Sequence, residues 1–169
     1  MRTDEVLTAA FDNIAGVVDA AVDGLTTDQL AQSQAPGTNS IAWLVWHLTR
    51  VQDDHVAELA EVEQVWSGWR ARFALPFEDD ATGYGQRPEE VGQVRVDAAL
   101  LAGYNADVHA LALRYVRGVD AAELARVVDA SWDQPVTASA RLVSVLGDCL
   151  QHLGQAAYVA GLAQRAGQR

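Results

Sequence analysis

Asp148 and His152, four residues apart near the end of the chain, are the first residues whose types and spacing could carry chemistry. Around them Leu142, Val145, Cys149, His152, Ala156 and Val159 recur at steps of three and four, drawing an apolar stripe along a helix. His152 lies inside that stripe, and the i, i+4 spacing puts Asp148 on the same face one turn earlier. A carboxylate and an imidazole turned towards a core are costly unless paired with each other or with a cation. Two readings follow. The residues form a buried Asp–His hydrogen bond, or they are two ligands of a metal ion whose third ligand lies elsewhere.

Three other histidines are available, His47, His55 and His109. His109 falls with Asn105 and Ala112 on a secondary face of its segment and receives no role. His55 is centred in the stripe Ile41, Leu44, Leu48, Val51, His55, Leu59, whereas His47 lies on its flank with Trp43, Val51 and Asp54. Eight residues of helix separate them by about 12 Å, too far to share one ion. Periodicity favours His55 as the inward residue and leaves both open.

The chemistry has a bounded setting. The chain has 169 residues, half of them apolar, with four prolines and no internal repeat, which describes one folded domain over 1–169. Cys149 is the single cysteine, so neither an intrachain disulfide nor a thiolate cluster can form. A net charge of −11 opposes binding to nucleic acid and to anionic membranes. All 12 basic residues are arginine, which removes lysine chemistry. Met1-Arg-Thr-Asp-Glu5 lacks the apolar core of a signal peptide, and no apolar run reaches a membrane span, so a cytoplasmic protein is expected.

The elements that must position these residues are helical. Thr3 or Asp4 can cap a first helix running to about Asp23, with Leu7, Phe11, Ile14, Val18 and Ala21 inward and Gly24 ending it. Thr26-Thr-Asp-Gln29 is a capping box for a short turn, and Gln34 to Thr38 is a loop. Asn39 or Ser40 caps the second long helix. From about Val65 to Val94 the helical period fades into a long connection rich in aromatics, with Trp66, Trp69, Phe73, Phe77 and Gly83-Tyr84-Gly85. The third long helix spans about Val96 to Val116 and the last about Ser139 to Gln164. Between them lie a short helix from Asp120 and an irregular segment around Trp132. Four amphipathic helices without strand alternation make an all-α four-helix bundle, with a crossover connection between its second and third long helices.

Asn39-Ser-Ile-Ala-Trp-Leu-Val-Trp-His47, followed 100 residues later by Asp148-x3-His152-x-Gly-Gln155, resembles the DinB-like four-helix-bundle superfamily. Phe77-Glu-Asp-Asp-Ala-Thr-Gly-Tyr-Gly85 and Ser131-Trp-Asp-Gln-Pro-Val136 are more narrowly similar to its mycothiol S-transferase branch. The likeness runs from about residue 4 to 162. It implies metal ligands His47, Asp148 and His152, with Asp148 at the position commonly held by His, or by Glu in the related mycothiol-dependent maleylpyruvate isomerases.

Two imidazoles and one carboxylate leave a four-coordinate zinc one ligand short, the pattern of a catalytic site; such ligands also admit nickel, iron or manganese. The resemblance therefore implies a divalent metal, mycothiol as cosubstrate, and a metal-bound thiolate attacking an epoxide, alkyl halide or activated alkene. No side chain need be the nucleophile. Asp54, His55, Tyr84 and Gln155 are candidates for supporting the ligands or lining the substrate pocket, while any single arginine, Arg50 and Arg141 included, is expected at a solvated surface. The alternatives are an isomerase using the same thiol and a non-catalytic metal-binding stress-response bundle. A homodimer is compatible with flat apolar faces.

Overall fold

Apolar residues spaced three and four apart drive four long helices together, and the computed structural model, which describes residues 2–166, places their stripes in one core. They are α1 (Thr3–Val22), α3 (Ile41–Ala60), α6 (Ala98–Val116) and α8 (Ala138–Ala166). Shorter pieces join them: α2 (Thr27–Ala31), α4 (Trp66–Phe73), α5 (Pro88–Val91), α7 (Ala121–Ala125), and the strands β1 (Val127–Asp129) and β2 (Val136–Thr137).

The helix starts follow side-chain chemistry. Ser40 Oγ accepts from Trp43 N at 3.2 Å, and Asp97 Oδ1 accepts from Leu100 N at 2.7 Å. Thr26 and Gln29 close their capping box reciprocally. The first helix departs from expectation. Neither Thr3 nor Asp4 caps it; the start lies at Arg2, whose N–H donates to Glu5 Oε2 at 2.9 Å while its guanidinium engages Asp4.

Helices α3 and α6 run parallel. Thr49 meets Asn105 near their middles, and Leu59 shares a cleft with Leu111 and Tyr115 further along both. Helix α8 runs antiparallel to α3: Leu48 O faces Cys149, and Glu58 faces Arg141. The segment joining α3 to α6 must therefore return along the length of a 20-residue helix, about 30 Å. This is the expected crossover.

That segment is less irregular than expected. Trp66, Trp69 and Phe73 share one face of the two-turn α4, too short a helix for its period to stand out among flanking residues. Trp66 and Phe73 are core residues packed around Tyr104. The β1–β2 hairpin, with Val127 opposite Thr137, was equally invisible because strands of three and two residues cannot display alternation.

A buried polar knot ties the crossover down. Asp53, fully buried, accepts from Val65 N at 2.9 Å, Trp66 N at 2.8 Å and Tyr104 OH at 2.8 Å. Arg50 is fully buried too, which overturns its expected surface role. It stacks on Trp66 and donates to Ala81 O at 3.0 Å and Gln64 Oε1 at 2.9 Å, with Asp53 3.6 Å away. A guanidinium carries several fixed donors, so one buried side chain can anchor two stretches of the crossover.

Candidate metal centre

Helix α3 brings His47 to its interface with α8, where Asp148 and His152 stand one turn apart. One donor atom from each of the three residues lies within 4.8 Å of the other two, with His47 buried and the other two partly exposed. His47 Nε2 is 4.0 Å from Asp148 Oδ2, and His152 Nε2 is 3.5 Å from Asp148 Oδ1. A simple core Asp–His pair would sit near 2.8 Å, so the side chains face one another without bonding. Asp148 Oδ2 and His152 Nδ1 are buried atoms with no hydrogen-bond partner among the described residues. Metal–ligand lengths of about 2.0–2.2 Å require tetrahedral donors somewhat over 3 Å apart. The observed spacings need only a small inward adjustment to meet that requirement. The donor set fits a divalent ion.

The crossover sets the chemistry of His47. Thr82 O lies 2.6 Å from His47 Nδ1, and a carbonyl only accepts, so Nδ1 carries the proton and Nε2 presents its lone pair to Asp148. Burial, reinforced by His152 nearby, holds the His47 pKa below the usual histidine value and outweighs the Thr82 hydrogen bond and Asp148. Trp43 stacks on the imidazole ring at 4.6 Å between centroids and is itself held by Gln86, whose Oε1 accepts from its indole N–H at 2.7 Å.

Close approach of the loop depends on Gly83. A Cβ there would lie 2.8 Å from His47 Nδ1 and 3.0 Å from the Trp46 ring, and its φ of +97° is one that glycine tolerates. Thr82, Gly83 and Gln86 are thus parts of the site that sequence reasoning missed. The Gly83-Tyr-Gly85 run was the available signal, since paired glycines in a long connection mark positive φ or close backbone contact.

Two clefts open onto the triad and share His47, Tyr84 and Asp148. One, of about 330 Å³, is further lined by Val51, Asp54, His55, Thr82 and Ser144. The other, of about 300 Å³, adds Asn39, Trp43, His152, Gln86 and the glycines flanking Tyr84. Tyr84 projects between them, 93% exposed. Of the expected supporting residues, Asp54, His55 and Tyr84 come to the clefts. Gln155 does not; it points to solvent one turn beyond His152. His55, the better-centred candidate ligand, lies outside the triad, with Nδ1 2.7 Å from Arg141 Nη1. Its pKa is lowered first by burial and then by that arginine. Arg141 also holds Glu58 at 2.9 Å, so it is a mostly buried partner of α3 and not the solvated residue expected.

A larger cleft, about 970 Å³, lies elsewhere, between the ends of α3, α6 and α7. Its polar groups satisfy one another: Glu123 accepts from Tyr115 OH at 2.6 Å and from Arg126 at 2.7 Å. Two of the unpartnered buried polar atoms, Asp148 Oδ2 and His152 Nδ1, belong to the triad, and there the chemistry is to be sought. His109 pairs with Asp12 at 3.0 Å, remote from it.

A family model described as Mycothiol-S-transferase matches residues 6–163. A search of curated proteins finds no match. Among solved structures, the chain is similar to a crystal structure of a conserved protein from Enterococcus faecalis. The two are 30% identical with a TM-score of 0.88, over 96% of this chain and 98% of that one.

Proposed function

The chain belongs to the mycothiol S-transferase family, of the DinB-like superfamily, and on that footing we propose that it is a metal-dependent transferase joining mycothiol to electrophiles. His47, Asp148 and His152 would hold a divalent ion, zinc by preference, although nickel, iron or manganese suit the same donors. When bound, the ion supplies a Lewis-acidic open position at which a thiol ionises near neutral pH.

The remaining work falls to the chain. The Thr82 carbonyl fixes the His47 tautomer, and burial keeps that imidazole unprotonated, so its lone pair stays available. Asp148 Oδ2, free of other partners, balances positive charge at the centre. The clefts beside Tyr84 admit the two reactants from opposite sides, and solvent reaching the centre carries away the thiol proton. The cosubstrate sulfur forms the new S–C bond, while a halide departs with its electron pair or an epoxide oxygen takes up a proton. Cys149 is not that sulfur, because burial pushes its thiol pKa far upward and its Sγ–H points at Leu48 O. A cytoplasmic setting, where small thiols stay reduced, accompanies this reading.

The carrying observation is the meeting of three donors from two helices at the junction of the clefts, two of them with buried atoms otherwise unpartnered. The test combines elemental analysis of purified protein with mycothiol consumption against a fluorogenic alkyl halide. About one divalent ion per chain is expected, with at least a hundred-fold loss of conjugation in His47→Ala and His152→Ala. Metal-free protein whose conjugation survives both substitutions would overturn the proposal. Regeneration of free thiol with an isomerised product would replace transfer by isomerisation.

A further inference from the structure

The two clefts beside the triad differ in chemistry, and the difference bears on which reactant each receives. Neither is lined by an arginine, and the chain has no lysine. The first cleft carries a carboxylate besides Asp148. Asp54 is 39% exposed, and Gln64 Nε2 donates to its Oδ1 at 2.7 Å. Its Oδ2 takes no hydrogen bond among the described residues; His55 Nδ1 is 3.7 Å away and is engaged by Arg141. Arg141 does not line the cleft; it engages His55 behind the wall, and Glu58 and, more loosely, Asp129 take up part of its charge. Ser144 and Thr82 complete a wall of hydrogen-bonding groups. The second cleft is lined by Trp43, Tyr84 and its two flanking glycines, with Asn39 and Gln86 as its polar groups outside the triad.

We propose that the Asp54 cleft receives the uncharged, hydroxyl-bearing end of the cosubstrate thiol, that Asp54 is the residue selecting it, and that the Trp43 cleft receives the electrophile. A free carboxylate oxygen is a strong acceptor for sugar-type hydroxyls. The same charge, on a wall of the cleft that carries no arginine, repels thiols that bear carboxylates of their own, such as glutathione. Selection thus combines an attractive and a repulsive element at one side chain. The flat aromatic faces of the other cleft suit apolar electrophiles and make no demand on charge.

This inference rests on the transferase reading, so the test separates the two. Steady-state conjugation is measured with mycothiol and with glutathione on the metal-loaded protein, for the unmodified chain, Asp54→Asn and Asn39→Ala. Affinity for the S-methyl thioether of mycothiol, which has no thiol to ionise, is measured by calorimetry on the same proteins. Asp54→Asn is expected to raise KM for mycothiol and weaken thioether binding about ten-fold, to improve kcat/KM for glutathione several-fold, and to leave kcat with mycothiol within about two-fold. Asn39→Ala is expected to change KM for the electrophile only. Circular dichroism melting establishes that each variant is folded, and Asp54→Glu, which keeps the charge, is expected to retain discrimination against glutathione. If the unmodified chain turns over mycothiol but Asp54→Asn leaves the thiol preference and thioether affinity unchanged, the inference falls alone. The same holds if Asn39→Ala is the variant that loses thioether affinity. If the unmodified chain neither binds the thioether nor consumes mycothiol, inference and transferase reading fall together.

Discussion

Replacing Gly83 by alanine should damage the candidate centre without touching a ligand. The new Cβ would lie 2.8 Å from His47 Nδ1, 3.0 Å from the Trp46 ring and 3.2 Å from the Trp43 ring, against ordinary contacts of at least 3.4 Å. Both indoles are packed, Trp46 completely, so the loop must yield. Moving it breaks the 2.6 Å Thr82–His47 hydrogen bond, worth about 1 kcal/mol, and the φ of +97° adds about 1–3 kcal/mol of backbone strain. A total near 3 kcal/mol corresponds to a drop in Tm of roughly 6–12 °C for a chain of this size. Loss of the group that fixes a ligand's tautomer typically lowers metal affinity about 10–100-fold. Gly85→Ala is the matched control: its φ is +73°, but nothing lies within 4 Å of its Cβ. It should cost about 1–2 kcal/mol and leave metal affinity intact. Zinc affinity is read by competition with a chromogenic chelator, and stability by thermal melts with and without metal. If both variants lose metal affinity equally, or Gly83→Ala retains it, the loop does not govern His47 and the reasoning fails.

Asp53→Asn should cost about 3–5 kcal/mol in denaturant unfolding, because it strips the buried Arg50 of its counter-charge; a loss under 1 kcal/mol would show the knot to be dispensable. His55 has a folded pKa below 6.5, so between 6.5 and that lower value the unfolded chain binds the extra proton and stability declines as pH falls. Metal-free protein should therefore lose more stability than His55→Gln between pH 7.5 and 5, and parallel curves would refute the assignment. Cys149 should resist alkylation until the chain unfolds, and Cys149→Ala should keep its conjugation rate within about two-fold; rapid labelling of native protein would contradict its burial.

The long helices and the Asp148–His152 pair could be read from the sequence because each is a local pattern. A stripe at steps of three and four states which face is buried, and an i, i+4 pair shares a face whatever packs against it. The choice between His47 and His55 could not be made in that way. Residues 44–48 are buried all round, since α8 covers one side and the crossover the other, and a residue on the flank of a one-sided stripe is then as interior as its centre. The resemblance to a family supplied His47, and the structure brings it to the triad. Arg50 was misread for the same reason: besides Asp53 on its own helix, its burial depends on Gln64 and Ala81, partners supplied by a segment whose own path has no periodic signature. Tyr84 and Gly83 were visible as loop chemistry, while Thr82 and Gln86, which act through one carbonyl and one amide, left no mark.

The distribution of the three donors separates two clocks. His47 belongs to α3, and Asp148 and His152 belong to α8, the two helices most extensively packed against one another. Their side-chain donors can part widely only when that interface opens, a motion near the global end of the stability scale. Tyr84 sits on an exposed loop tip between glycines and can move on loop timescales. A bound ion should therefore exchange on the scale of unfolding, over many catalytic cycles, while reactants come and go past Tyr84 in each one. Metal dissociation and native-state hydrogen exchange at the α3–α8 interface should then slow together, with turnover free to vary independently of both.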